Sequence, residues 1–235
     1  MRDTQQTQAS HNWGRLHAQP GRHIYSISSP GIHSLDIEKT GDCLLYVPRT
    51  YMPDYPAPLV VMLHGAGGNA TGGLLPFQSH AEESGLLLLA PSSHSQSWDI
   101  ITDGHYGPDV ALIDKALEQI FSRYIIDPER IAVEGFSDGA SYALSLGLIN
   151  GDMFKHIIAF SPGFMKPTEY QGLPRVYISH GQRDPVLPID YCSRRIVNQL
   201  RQTKYAVEYH EFPGGHHVPE NIAREALSWF LLSGS

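Results

Sequence analysis

From Leu44 onward, short apolar runs alternate with longer amphipathic segments. A strand buried on both faces is apolar at successive positions, whereas a helix packed on a sheet is apolar at every third or fourth position. The predicted strands lie near 43–47, 58–63, 86–90, 131–135, 156–160, 174–179 and 205–211. Strands alternating with helices are typical of a mostly parallel sheet flanked by helices, which is an α/β fold.

Four amphipathic or apolar segments between these strands predict helices. One starts after Pro108-Asp109 and keeps helical spacing to Tyr124, and the others cover 138–149, 189–200 and 220–232. Residues 1–21 carry no sustained apolar periodicity, so they are predicted to form a flexible N-terminal arm. No repeat or linker interrupts the rest, which predicts a single α/β domain over 22–235.

Composition and charge exclude several classes of protein. The chain has 235 residues, 41% of them hydrophobic, which is typical of a folded protein. Its formal charge is −7 and its longest basic run is the pair Arg194-Arg195, which argues against a nucleic-acid partner. The apolar run 86–90 is too short to span a membrane. No signal-like apolar run occurs near the N-terminus, so a cytoplasmic location is expected unless a leader peptide has been removed. Composition and charge do not predict the oligomeric state.

A candidate nucleophile follows the strand predicted at 131–135. The run Gly135-Phe136-Ser137-Asp138-Gly139 matches G-x-S-x-G between a strand and a helix. In that context the two glycines let the strand and helix approach closely, and the serine hydroxyl stands above the sheet. The alternative is an ordinary glycine-rich turn in which Ser137 only caps the helix.

A glycine-rich loop, His64-Gly65-Ala66-Gly67-Gly68-Asn69, follows the strand at 58–63. It resembles the H-G-G-G type of loop that supplies an oxyanion N–H group. We therefore predict an oxyanion hole made by the N–H groups of Ala66 and Asp138, with Gly67 as the next candidate and as a substrate contact. A P-loop is not indicated, because no G-K-[ST] ending is present. His64 is expected to stabilise the loop rather than act as a base.

The acid and the base of a triad should follow later strands, since active-site groups gather at the carboxyl ends of parallel strands. Asp184 follows the strand at 174–179, and His216 follows the strand at 205–211 and the pair Gly214-Gly215. We predict Asp184 as the acid and His216 as the general base; Glu211 and Asp190 are alternative acids, and His217 is the alternative base. No metal site is expected: the chain contains no H-E-x-x-H helix motif.

Together these stretches resemble the α/β-hydrolase family. Within it they are similar to the bacterial carboxylesterase/phospholipase-like and polyhydroxybutyrate-depolymerase-like serine esterases. The stretches that carry the resemblance are 44–48, 57–68, 135–139, 184–186 and 214–216. The resemblance implies an α/β-hydrolase fold over 22–235, with a mostly parallel doubly wound sheet, and a serine esterase or thioesterase that works without a cofactor.

The predicted function is hydrolysis of small carboxylic esters through an acyl-enzyme. A thioesterase or peptidase on the same triad is an alternative, as is a ligand-binding receptor of the same fold. Only 161–173 separate two strands where many lipases insert a lid, so no large cap is expected. The loop 92–108 is long enough to form a pocket wall, in which Trp98 either contacts the acyl group or only packs.

Overall fold

The computed structural model describes residues 7, 9–21, 29–37 and 43–232. Among them, eight strands form one sheet in the order β1-β2-β4-β3-β5-β6-β7-β8. The first two pairings, β1 with β2 and β2 with β4, are antiparallel, and the remaining neighbours are parallel. The strands are β1 (Gly31–Ser34), β2 (Cys43–Val47), β3 (Ala57–Leu63), β4 (Leu87–Pro91), β5 (Ile126–Phe136), β6 (His156–Phe160), β7 (Arg175–Gly181) and β8 (Val207–Phe212).

Helices cover both faces of this sheet. They are α1 (Ala70–Ser84), α2 (Asp99–Thr102), α3 (Pro108–Arg123), α4 (Asp138–Ile149), α5 (Ser193–Gln202) and α6 (Glu220–Leu232). Apolar residues of α1 and α6 share one core cluster with one face of the sheet, and those of α3, α4 and α5 share a second cluster with the other face. The predicted mostly parallel α/β sheet is confirmed.

The direction of chain progression reverses at β3. The chain runs from β3 to β4 on one side and later returns to place β5 on the other side of β3. In open α/β sheets such a reversal leaves a crevice outside the carboxyl ends of the two strands, where ligands bind. Here β3 ends at Leu63 and β5 ends at Phe136, so the glycine-rich loop and the G-x-S-x-G turn meet at this crevice.

Helix α1 and strand β1 were not predicted. Helix α1 contains Gly72, Gly73 and Pro76, all of which disfavour a helix interior. It forms because the Asn69 side chain caps its first turn by accepting from Gly72 N–H, because Gly85 ends it with a φ of 65°, and because one face is buried on the sheet.

Residues 9–21 differ from the prediction of a flexible arm. Leu16 and Ala18 belong to the hydrophobic core, and the His11 ring lies 2.7 Å from Asp114 on α3. The backbone N–H groups of Leu16 and Ala18 donate to side-chain oxygens of Asn150 and Asp114, respectively. The prediction was wrong for these residues because long-range hydrogen bonds, rather than local periodicity, hold them. Residues 1–6 and 8 of the predicted arm, and 22–28, 38–42 and 233–235 of the predicted domain, lie outside the described residues.

Cys43 and Cys192 are both free and buried, and burial raises the pKa of Cys43 to about 12. No helix in the described ranges is long and apolar enough to cross a membrane.

Candidate active site

Ser137 occupies a sharp turn between β5 and α4. Its φ of 56° and ψ of −118° lie outside the regions that most residues with a side chain adopt, so the turn is strained. A Cβ atom on Gly135 would overlap the backbone of Gly139, and one on Gly139 would overlap the carbonyl of Leu63. Only glycine at both positions therefore lets the strand and helix pack closely enough to hold this turn.

The three residues predicted to form a triad meet in one chain of hydrogen bonds. Ser137 Oγ lies 2.9 Å from His216 Nε2, and His216 Nδ1 lies 2.6 Å from Asp184 Oδ2. A carboxylate can only accept hydrogen bonds, so Nδ1 carries a proton and donates a hydrogen bond to Asp184. In the neutral imidazole, Nε2 is then free to accept the hydroxyl proton of Ser137. This is the arrangement that a serine nucleophile and its base require.

Asp184 is held on both of its oxygens. Its Oδ1 accepts the backbone N–H groups of Val186 and Leu187, each at 2.9 Å, and its side chain has no exposed surface. Burial raises the pKa of Asp184, but the hydrogen bonds from Leu187, His216 and Val186 outweigh burial, so the pKa lies below its ordinary value. The carboxyl group is therefore ionised and fixed in orientation.

His180 is a neighbour of the triad that the sequence reasoning missed. Its Nε2 donates to the carbonyl of Leu187 at 2.8 Å and lies 3.2 Å from Asp184 Oδ2. Burial lowers the pKa of this fully buried ring, which keeps it neutral. A histidine four residues before the acid, at the end of the same strand, was the signal in the sequence.

The alternative acids and base lie elsewhere. Glu211 and Asp190 both pair with Arg194, at 2.6 and 2.7 Å, and neither contacts His216 among the described residues. The ring of His217 packs edge-on against Phe212 at 5.4 Å between centroids and makes no contact with Ser137 within the described chain. His216 and Asp184 are thus the residues that the fold brings to Ser137.

The two predicted oxyanion donors carry unused N–H groups. Neither Ala66 N–H nor Asp138 N–H has a hydrogen-bond partner within the described part of the chain. Gly67 differs, since its N–H donates to the carbonyl of Gln96 at 2.7 Å. Gly67 N–H is therefore not free to act as the next-candidate oxyanion donor, and a substrate contact by Gly67 stays a prediction.

His64 and Trp98 support the oxyanion loop from inside. His64 Nδ1 donates to the Gly65 carbonyl at 2.8 Å, and its Nε2 accepts Ser93 N–H at 2.9 Å. Burial lowers the pKa of His64, so the neutral form that these two bonds require is favoured. This role was predicted.

Trp98 has no exposed surface, donates from Nε1 to the His64 carbonyl at 2.9 Å and stacks on Tyr142. The predicted acyl contact of Trp98 is wrong, because the indole packs beneath the loop and not in an open pocket.

Two buried carboxylates shape the segment 92–107. Asp109 accepts N–H groups of His94 at 2.6 Å and Asp99 at 2.7 Å, while Asp99 accepts Gly107 N–H at 2.8 Å. Burial, and then the charge of Asp99, raise the pKa of Asp109 to about 6. In the sequence, Asp109 indicates only the start of a helix, and the pair that it forms with Asp99 was not predicted.

A cavity of about 530 Å³ lies between α1 and α6, beside His216. Its lining includes Gly65 and Ala66 of the oxyanion loop, together with Leu63 and Glu134. The segment 92–108 contributes no residue to this cavity, so the predicted role of that loop as a pocket wall does not apply to it.

Residues 161–174 contain no helix or strand and form no cap. Among the described residues, no three His, Cys, Asp or Glu side chains are arranged to hold a metal ion.

The parallel sheet, the strained serine turn at its switch point and the histidine after its last strand define the α/β-hydrolase fold. The model of the phospholipase/carboxylesterase family matches residues 108–231, more than half of the chain. The chain belongs to this family, and the predicted resemblance to esterases of the α/β-hydrolase fold is confirmed.

Individual relatives agree with this assignment. A probable feruloyl esterase C of Aspergillus oryzae is 30% identical over 169 residues, which cover 68% of this chain and 60% of that protein. A poly(3-hydroxybutyrate) depolymerase of Ralstonia pickettii is 32% identical over 124 residues, covering 45% of this chain and 25% of the depolymerase. A solved ferulic acid esterase from Anaeromyces mucronatus, in complex with ferulic acid, shares the fold at a TM-score of 0.67 and 16% identity. That alignment covers 87% of this chain and 90% of the solved chain.

Proposed function

We propose that this protein is a serine esterase that cleaves small carboxylic esters through an acyl-enzyme on Ser137. The observation that carries the proposal is the unbroken hydrogen-bond chain from Ser137 Oγ through His216 to Asp184, at 2.9 and 2.6 Å. The donors and acceptors of this hydrogen-bond chain are oriented so that His216 Nε2 can take the hydroxyl proton of Ser137, as the reaction requires. The family assignment and the esterase activity in the name of the relative from Aspergillus oryzae support the same reaction type.

The reaction proceeds in two halves. His216 Nε2 takes the hydroxyl proton as Ser137 Oγ bonds to the acyl carbon, and the carbonyl oxygen becomes an oxyanion that accepts from Ala66 N–H and Asp138 N–H. His216 then gives its proton to the alkoxide oxygen as the ester bond breaks. Water repeats the sequence on the acyl-enzyme, which releases the acid and restores Ser137. Asp184 keeps the imidazole in the required tautomer and stabilises the imidazolium.

The absence of a cap over 161–174 supports small, dispersed substrates. A mobile apolar lid is what would couple activity to a lipid surface, and none is formed by this segment. We expect no rise in rate at the solubility limit of a long-chain ester. A feruloyl ester belongs in the substrate panel because of the relative from Aspergillus oryzae.

The test compares Ser137→Ala with Ser122→Ala, which changes an exposed serine near the carboxyl end of α3. Turnover of p-nitrophenyl acetate and covalent labelling by a fluorophosphonate are measured on folded protein. Ser137→Ala should lose both, with kcat falling by about 10⁶ as for the loss of a serine nucleophile in a protease, while Ser122→Ala keeps both. Substantial turnover by folded Ser137→Ala would overturn the proposal.

Matched thioester and amide substrates separate an esterase from a thioesterase or peptidase. Binding without any turnover would favour a receptor.

A further inference from the structure

Glu134 is a buried acid that the proposed mechanism does not use. It lies on β5 three residues before Ser137, and only 1% of its surface is exposed. Its Oε1 has no hydrogen-bond partner, and its side chain forms no ion pair with the described residues. A buried polar group without a partner is costly, so folded proteins rarely keep one without a reason.

Burial disfavours the charged form of Glu134. It raises the pKa of this carboxyl group well above its ordinary value, which favours the protonated form. A protonated carboxyl group has one O–H to donate and a carbonyl oxygen that accepts. It therefore complements a neutral group that both accepts and donates, such as a hydroxyl.

This acid faces the cavity between α1 and α6. The cavity measures about 530 Å³, and Leu63, Phe136 and Ala223 give it apolar surface around Glu134. Pockets that are mostly apolar with a few convergent polar groups are typical of small-molecule sites.

His216 and Ala66 also line the same cavity, so its occupant is adjacent to the proposed base and to a proposed oxyanion donor. This position indicates which part of an ester enters. His216 must deliver its proton to the leaving alkoxide oxygen, so the alcohol part of the substrate lies against the imidazole ring.

We propose that this cavity binds the alcohol part of the ester and that Glu134 selects alcohols carrying a second, neutral hydroxyl group. The inference rests on the proposed esterase function and assigns Glu134 as a specificity-determining residue. The preferred substrates are then monoesters of diols or polyols. Without such a hydroxyl, the occupant leaves Glu134 unpartnered in an apolar cavity.

The test uses two acetate esters with the same number of non-hydrogen atoms, 4-hydroxybutyl acetate and pentyl acetate. The ratio of their kcat/KM values isolates the hydroxyl group. Glu134→Gln keeps a donor and an acceptor and should keep the preference for the hydroxyl ester, whereas Glu134→Met should lower the ratio about three- to tenfold, the net value of one neutral hydrogen bond. Glu83→Met, at an exposed glutamate on α1, is the matched control. Fluorophosphonate labelling confirms that each variant is folded.

A second variant does not depend on the buried site. Ser79 is exposed on α1 at the rim of the cavity, and Ser79→Trp should block the cavity. The variant should reduce kcat/KM for pentyl acetate relative to methyl acetate by at least about tenfold, because the longer alkyl group would lose its apolar contacts with the cavity.

Four results would overturn the inference. One is an unchanged ratio in Glu134→Met together with no effect of Ser79→Trp. Another is a hydroxyl preference seen only between methyl 5-hydroxypentanoate and methyl hexanoate, which would assign the cavity to the acyl part. A wild type that hydrolyses p-nitrophenyl acetate but shows no hydroxyl preference would overturn the inference alone. A wild type inactive on every ester would overturn the proposed function as well.

Discussion

Asp184→Asn tests the orientation of the triad, because the two oxygens of Asp184 have different partners. Oδ1 accepts two backbone N–H groups, from Val186 and Leu187, and Oδ2 faces His216 Nδ1. An asparagine has one oxygen and one NH₂ group, so it cannot satisfy both sides. If its oxygen stays on the backbone donors, its NH₂ faces His216 Nδ1. The imidazole must then accept at Nδ1 and carry its proton on Nε2, where it cannot take the proton of Ser137.

The opposite orientation of the asparagine restores the useful tautomer at a cost. Its NH₂ would then face two buried N–H donors, each left unpaired at about 1–3 kcal/mol. The productive orientation is thus disfavoured by about 2–6 kcal/mol, which corresponds to a population between about 1 in 30 and about 1 in 20,000 at about 1.4 kcal/mol per factor of ten. We expect kcat to fall by a factor of between about 30 and about 20,000, in proportion to this population. The corresponding change in a serine protease lowers kcat about 10⁴-fold.

The assay is steady-state hydrolysis of p-nitrophenyl acetate, with Asp190→Asn as the control. Asp190 lies on the same segment and its side chain is 70% exposed, so this control should keep full activity. Thermal unfolding establishes that Asp184→Asn is folded. An Asp184→Asn variant with more than about a tenth of the wild-type kcat would refute the reasoning, since no orientation of the amide serves both sides.

Three further outcomes are expected. His216→Ala should lose activity by orders of magnitude and His217→Ala by about tenfold at most, in ester assays at one pH; the reverse ranking would make His217 the base. Gly135→Ala should abolish or severely destabilise the fold, because its Cβ would overlap the backbone of Gly139. Gly21→Ala should leave Tm nearly unchanged, because its Cβ would make only an ordinary contact with the Gln19 carbonyl at 3.9 Å. Equal Tm values would contradict this overlap. Between pH 3.8 and about 6 the folded state binds the proton of Asp109 more tightly than the unfolded chain does. Any stability that wild type holds over Asp109→Asn should therefore shrink by about 3 kcal/mol as the pH rises through this window, in urea unfolding; a difference that grows with pH would contradict the raised pKa.

The three residues of the candidate site and their proximity could be predicted from the sequence because two rules act together. Each buried parallel strand leaves an apolar run, and the carboxyl ends of parallel strands meet at one edge of the sheet. Ser137, Asp184 and His216 each follow such a run, so their proximity follows from topology without any knowledge of loop geometry. Helix α4 was predicted with the bounds that it has, 138–149, because its small and apolar residues fit a buried helix.

The features that were missed depend on contacts between distant parts of the chain. The His11–Asp114 contact joins residues 103 positions apart, and nothing near His11 in the sequence indicates it. Trp98 resembled a pocket residue because it lies in a long loop, but its indole N–H has a partner in His64, 34 positions away. Local patterning cannot distinguish an aromatic residue that lines a pocket from one that supports a neighbouring loop.

The oxyanion loop depends both on the strand order, which places it at the site, and on contacts between distant residues, which hold it in position. An N–H group of Ala66 can stabilise an oxyanion only if the loop is already fixed, since reorganisation during the reaction would consume the benefit. The ties that fix it come from the segment after β4, through Ser93 to His64 and through the Gln96 carbonyl to Gly67 N–H. Strand β3 lies between β4 and β5, so the loop that follows β3 receives this support on one side and meets the Ser137 turn on the other. The strand order that opens the crevice therefore also supplies the groups that hold the oxyanion loop in place.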